Sequence, residues 1–150
     1  MWKESSRLPF GRQIFSRAIG LWVPYSGSIG AVIEELSPGR CRLSMTDRRS
    51  IRNHLKSIHA MALANFGELT TGLAVVSALS SEQRAILTGY QIQYLKKSRG
   101  TLNAVCVVPP IPVEDQKPLE VQADIKNGDN EVVAQVKATW LIGSSASRAR

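Results

Sequence analysis

The segment "SIHAMALANFGELTTGLAVVSAL", residues 57–79, constrains the fold more than any other stretch. It holds no proline and is apolar on nearly every side when wound at 3.6 residues per turn. That pattern predicts one long helix buried all round, with Ser57 as its expected N-cap. Such a helix needs a layer around it. In a chain of 150 residues the layer has to come from the rest of a single domain. No apolar run approaches the roughly 20 residues of a membrane span, so burial is expected inside the protein.

The flanking sequence supplies strands. Leu119, Val121, Ala123 and Ile125 alternate with polar residues, and after Asn127-Gly128 so do Val132, Ala134, Val136, Ala138 and Trp140. This is the pattern of a hairpin around an Asn-Gly turn. Tyr90, Ile92 and Tyr94, the turn Lys97-Ser98-Arg99-Gly100, then Leu102, Ala104, Cys106 and Val108 predict a second hairpin. It ends at Pro109, Pro110 and Pro112, which cannot donate to a sheet. "GAVIEELSPGRCRLSMTD" predicts a third, turning at Ser37-Pro38-Gly39 with Cys41, Leu43 and Met45 inward. The expected architecture is α+β: a curved antiparallel sheet of about six strands wrapped around a long central helix.

Phe10, Ile14, Phe15, Ala18 and Ile19 fall on one helical stripe, which predicts an extra N-terminal helix with Gly20 as its C-cap. The same stretch is Arg-rich with the single acid Glu4, so a mitochondrial targeting peptide is the alternative. One domain is expected over residues 1–150: a helical extension over 1–27, a core over 28–142 and a flexible tail over 143–150. Cys41 and Cys106 sit in apolar alternating runs and form no CxxC pair, as expected of buried thiols in a reducing compartment. With no signal-peptide pattern, a cytoplasmic location is the default, and a mitochondrial one follows from the alternative. The net charge is +7, but no basic face interleaved with aromatics suggests nucleic acid. The charge reads as a solvated surface or as a rim for a phosphorylated ligand.

Asn53, His54, His59, Asn65 and Glu68 put polar groups into and beside the apolar helix. His54 and His59 are five apart and do not share a helix face, so no metal site is expected. Glu68 is a lone carboxylate among apolar neighbours. The structural alternatives are a Glu68 at a solvent edge, a His59 satisfied in the core and an Asn53 capping a turn.

The strand and helix order together with "NH", "IHA" and "GE" resembles the hotdog-fold superfamily, most closely its acyl-CoA thioesterase branch. The resemblance covers about residues 28–142. Similar thioesterases carry an Asn, a His followed by two glycines, and an acid nine residues after the His. Here these positions are Asn53, His59 and Glu68, with Ala60 and Met61 in place of the glycines. The resemblance implies hydrolysis of an acyl-CoA thioester, which is a substrate; no cofactor is expected. A non-catalytic acyl-binding module is the alternative. An acyl-CoA hydratase or dehydratase is a further one, although Asp47 is followed five positions on by Arg52 rather than His.

A thioester needs its carbonyl polarised and a nucleophile activated. The backbone N–H groups of Ala60 and Met61, at a helix start, are the expected oxyanion donors. Burial should raise the Glu68 pKa and suit it to act as a base for water or as the nucleophile. Asn53 would orient water or the loop, His59 would fix the helix start, and Asn65 would hydrogen-bond the carboxylate. Lys96, Lys97 and Arg99 are expected at the coenzyme A phosphates, with edge protection as the alternative. Glu68 and His59 are about 13.5 Å apart along one helix, so a homodimer with shared sites is expected, with a dimer of dimers as a further assembly.

Overall fold

The computed structural model describes residues 2, 9–111 and 117–144. Lys3, Arg7, Pro112, Arg148 and Arg150 lie outside the described residues. The apolar run is helical from Ala60 to Ala78 (α3), and His59 rather than Ser57 is its N-cap. Ser57 is buried three positions earlier, where its hydroxyl donates to Ser98 O at 2.9 Å and accepts from Ser98 N at 3.0 Å. Ser57 is thus a clamp between two loops, and the helix begins only where the chain leaves that clamp. By length and composition alone, with 19 residues and a mean hydropathy of 1.2, α3 is long and apolar enough to cross a membrane, a test that the core helix of a folded domain also passes. It packs against a sheet instead, with Phe66, Ala74 and Val75 fully buried.

Six strands supply that sheet: β1 Val32–Ser37, β2 Arg40–Thr46, β3 Gln83–Tyr94, β4 Thr101–Val107, β5 Lys117–Lys126 and β6 Val132–Ser144. Every paired neighbour is antiparallel, in the order β1-β2-β4-β5-β6-β3. Alternation sets the inner face as expected, since Cys41, Leu43, Met45, Leu102, Ala104, Cys106, Val121, Ile125 and Val136 are all buried. Cys41 and Cys106 face each other across β2 and β4. Burial pushes their thiols up to about 12 and about 11. Strand β6 continues through Ser144, two residues into the span read as a tail.

The hairpins at either end form, β1–β2 and β5–β6. The hairpin expected between β3 and β4 does not. β3 pairs with β6 at one border of the sheet, and β4 lies between β2 and β5. Local alternation marks a strand but is silent on its partner, which here is more than forty residues away. The β5–β6 connection is also longer than a two-residue Asn-Gly turn. Asn127 Oδ1 accepts from Asp129 N and Glu131 N, and the left-handed residue is Asn130.

Two glycines let α3 lie close to the sheet. A Cβ on Gly67 would collide with Val136 and the Tyr90 hydroxyl, and one on Gly72 would come 3.1 Å from the Trp140 ring. Ahead of the sheet, α1 Gly11–Trp22 and α2 Pro24–Gly27 form the extension. Gly20 does not end α1; it meets Gly27 of α2 backbone to backbone, which no side chain would permit. Of the expected stripe, Phe15 and Ile19 pack on the core, whereas Phe10, Ile14 and Ala18 are exposed. α1 lies along β1, tied by Ser16 Oγ accepting from Ile33 N at 2.8 Å and by an Arg12–Glu34 ion pair at 3.0 Å. One border of the sheet is therefore covered. The other, twelve-residue β3, is covered by no element among the described residues and exposes Ile86 and Tyr94.

Candidate functional site

The loop that leads into α3 is fixed by Asn53. Its side-chain Oδ1 accepts from Leu55 N at 2.9 Å and Ser57 N at 3.2 Å, while its backbone N–H donates to Ser57 O. This is an Asx-type turn, so the Oδ1 of Asn53 serves the loop. His54, beside it, is exposed. Arg99 reaches across from the β3–β4 loop and donates to the carbonyls of Lys56 and Leu55. Ile58 N donates to Ser98 O and His59 N to Ile51 O. The start of α3 is thus held by three chain segments at once.

At the helix start His59 turns its Nδ1 back to accept from Met61 N at 3.0 Å. An accepting Nδ1 places the imidazole proton on Nε2. The Met61 amide is consequently occupied, whereas the Ala60 amide has no hydrogen-bond partner among the described residues. Of the two expected oxyanion donors, then, only Ala60 is free in a single chain.

Glu68 lies two and a half turns further along, half-buried. Its carboxylate has no hydrogen-bond or ion-pair partner among the described residues. Burial holds its pKa above the usual carboxylate value. Such a carboxylate binds a proton more firmly than a free one, which makes it a better base once ionised. Asn65 does not bond to it. The Asn65 Nδ2 donates instead to Tyr25 O at 3.2 Å, securing α2 to α3, and its buried Oδ1 is left without a partner. The same is true of the buried indole Nε1 of Trp140, whose ring lies over Gly72. Asn65 is on α3 one turn before Glu68, Trp140 is on β6, and the buried Ser98 Oγ beside the helix start likewise has no partner among the described residues; buried groups of this kind are few in native proteins.

Sequence reasoning missed two tyrosines. From β3, Tyr94 donates its hydroxyl to Ala60 O at 3.0 Å and Tyr90 to Ala64 O at 2.7 Å. Burial first, and then the charges of Tyr94 and Glu68, push the Tyr90 phenol well up, so it stays a donor. Their alternation in the strand was legible; that their hydroxyls meet helix carbonyls was not. The basic turn divides by partner: Lys96 pairs with Glu131 at 2.6 Å, Arg99 holds the loop carbonyls, and Lys97 is exposed with no ion pair among the described residues. Among the described residues no three His, Cys, Asp or Glu side chains gather as metal ligands.

Residues 11–142 match the family described as a domain of unknown function, DUF4442. No curated protein matches the chain. Among solved structures, the genomics protein APC5556 is 28% identical with a TM-score of 0.83, covering 96% of this chain and 95% of its own. PA5026 of Pseudomonas aeruginosa, described as a protein of unknown function and probable thioesterase, is 20% identical with a TM-score of 0.74 over 91% and 97% of the two chains. The Escherichia coli PaaI protein of the phenylacetic acid degradation operon is 17% identical with a TM-score of 0.70 over 86% and 92%. The fold shared with these structures is the hotdog fold.

Proposed function

The chain belongs to the DUF4442 family, and from that premise and its hotdog fold we propose that it hydrolyses acyl-CoA thioesters, with Glu68 as the base that activates water. The observation that carries this reading is the half-buried carboxylate of Glu68, raised in pKa by burial and left without a partner in an apolar helix. A structural carboxylate would be paired or solvated. Glu68 is half-buried and unpaired among the described residues, which leaves it able to take up a water and a substrate. The description of PA5026 as a probable thioesterase supports the reaction class.

The site is divided between two copies. Along one helix, His59 and Glu68 are about 13.5 Å apart, too far to meet at one carbon. An antiparallel partner helix brings the start of one α3 to the middle of the other. The bare β3 border and the exposed Met61 and Val76 on α3 are the surfaces such a two-fold would cover. In the dimer the Ala60 amide of one copy faces the thioester oxygen, and Glu68 of the other delivers hydroxide to its carbon. The collapse of the tetrahedral intermediate expels the thiolate. Asn53 and His59 act as positioning residues through the loop and the cap. Asn65 Oδ1 accepts from the water that Glu68 deprotonates, and Lys97 meets the phosphates of coenzyme A.

A panel of acyl-CoAs with free-thiol detection tests the reading. Release of thiol from at least one chain length is expected. The occupied Met61 amide and the absence of glycines at 60 and 61 favour one other reading, a module that binds acyl-CoA without hydrolysing it. Saturable binding with no thiol release across the panel would establish that reading instead. A second measurement tests the shared site. Inactive Glu68→Gln protein is mixed with a variant inactivated at the helix start, and partial activity should return on subunit exchange. A sedimenting monomer that is fully active would refute it.

A further inference from the structure

Helix α1 is apolar on two opposite sides. Its inner side seats Phe15 and Ile19 on the core and ties to β1 through Ser16 and Arg12. A surface helix ordinarily turns polar residues to the side away from the core. Here Phe10, Ile14 and Leu21 stand on that side at helical spacing, with Trp22 beside them, and all four are exposed. The short α2, which meets α1 where Gly20 touches Gly27, adds Tyr25. These five are the most exposed large apolar side chains among the described residues, from 64% to 84%. Apolar side chains exposed singly are ordinary. Five gathered on one short helical segment mark a binding surface.

Charge and side-chain type say what that surface binds. Residues 9–33 carry Arg12 and Arg17 and no acid. Arg12 is engaged with Glu34. Arg17, three residues after Ile14 and four before Leu21, flanks the apolar side; it is exposed and has no ion pair among the described residues. A further cation, Arg48, donates to Ser28 O at 2.7 Å, just past the end of α2. Trp22 and Tyr25 each join an apolar ring to a polar N–H or O–H, which suits the boundary between acyl chains and headgroups. A second copy of the chain seated patch to patch would set these cations against their own like.

We infer that the outer side of α1 docks on an anionic phospholipid bilayer, with Phe10, Ile14, Leu21 and Trp22 set into the headgroup boundary and Arg17 against the lipid phosphates. The 12 residues of α1 are too few to span a bilayer. Amphipathic helices instead lie in the interface and bury their apolar side ~5–10 Å deep. Because the inner side of α1 is fixed along β1, docking holds the whole domain at the membrane. β1 and β3 are opposite borders of the sheet, so pairing of two copies through β3 leaves α1 free to dock. Docking of this kind requires no thioester chemistry and goes beyond the reaction proposed above.

The test mixes the full chain with vesicles of phosphatidylcholine alone or with about one third phosphatidylglycerol, and separates bound protein by flotation. Wild type should float with the anionic vesicles and much less with the neutral ones. Binding should weaken as salt is added, because the Debye length shrinks from ~10 Å at 0.1 M to ~3 Å at 1 M. The double variant Ile14→Glu, Leu21→Glu should lose at least tenfold in vesicle affinity and Arg17→Glu several-fold, with folding checked by circular dichroism. Should the double variant not fold, quenching by bromine-labelled anionic lipids decides the matter. These lipids should quench wild-type tryptophan emission, and Trp22→Phe should lose most of the quenching, since Trp140 is buried. Wild type that does not float, or floats equally with both vesicles, overturns the proposal, as does a folded double variant that binds like wild type. A double variant that sediments as a smaller species than wild type, with neither floating, assigns the patch to a contact between copies and overturns it too.

Discussion

The start of α3 and its middle are built from similar residue types and handled in opposite ways. At the start the side chains of Asn53, Ser57, His59 and Arg99 each hold backbone partners, often two. In the middle, the Glu68 carboxylate, Asn65 Oδ1 and, from β6, Trp140 Nε1 have none among the described residues, whereas among buried side-chain atoms near the start that holds for Ser98 Oγ alone. Satisfied polar groups rigidify a loop. Orphaned ones cost free energy unless something later occupies them. The start is therefore scaffolding that aims the helix, and the middle is where the proposed chemistry would take place.

The sharpest way to break that contrast is Glu68→Gln. If the middle is chemical, hydrolysis should drop by a factor of about 10² to 10⁴, the usual worth of a positioned base, while the protein stays folded. Stability should move the other way. A carboxylate whose folded pKa is raised stabilises the fold below its unfolded pKa, and that contribution is lost as pH rises through the folded value. At neutral pH the uncharged Gln should therefore match or slightly raise the melting temperature, and wild type should melt lower at pH 8 than Glu68→Gln does. In wild type kcat/KM should rise with pH through an apparent pKa above that of free Glu. A melting temperature that falls steeply in Glu68→Gln would make the residue structural.

Ser57→Ala probes the other side. It removes one donated and one accepted hydrogen bond in a buried site, worth about 1–3 kcal/mol, or several degrees in melting temperature for a domain of this size. Its effect on kcat/KM should be smaller than on stability, as measured by thermal unfolding alongside steady-state kinetics. The smallest expected effect is that of Lys97→Ala. KM for acyl-CoA should rise a few-fold with little change in kcat, and the difference should fade as salt is added. A flat salt series would return Lys97 to the solvated surface.

Much of the fold was legible because burial writes itself into sequence period. The long apolar run around Phe66 read as a helix buried on all sides, and the alternation through Leu119–Ile125 and Cys41–Met45 marked strands and their inner faces. What could not be read was anything that depends on a distant partner. Tyr90–Tyr94 alternates as clearly as the other strands, yet its pairing with Ala134–Ala138 rather than with Leu102–Cys106 follows from how the whole sheet closes. The site shows the same limit. Glu68 stood out as a carboxylate in apolar surroundings, but Asn65 bonds a carbonyl forty positions earlier. Similarly, the clamp of Ser57 on Ser98 spans two loops that no local rule connects.

Strand β3 both forms the bare border of the sheet and, through Tyr90 and Tyr94, braces the first turns of α3. In the proposed dimer each reaction centre is split across a two-fold, so dilution would act as an inhibitor. Below the dissociation constant of that pair, specific activity should fall with protein concentration itself, and a peptide that zips onto β3 should abolish the proposed hydrolysis without entering the site.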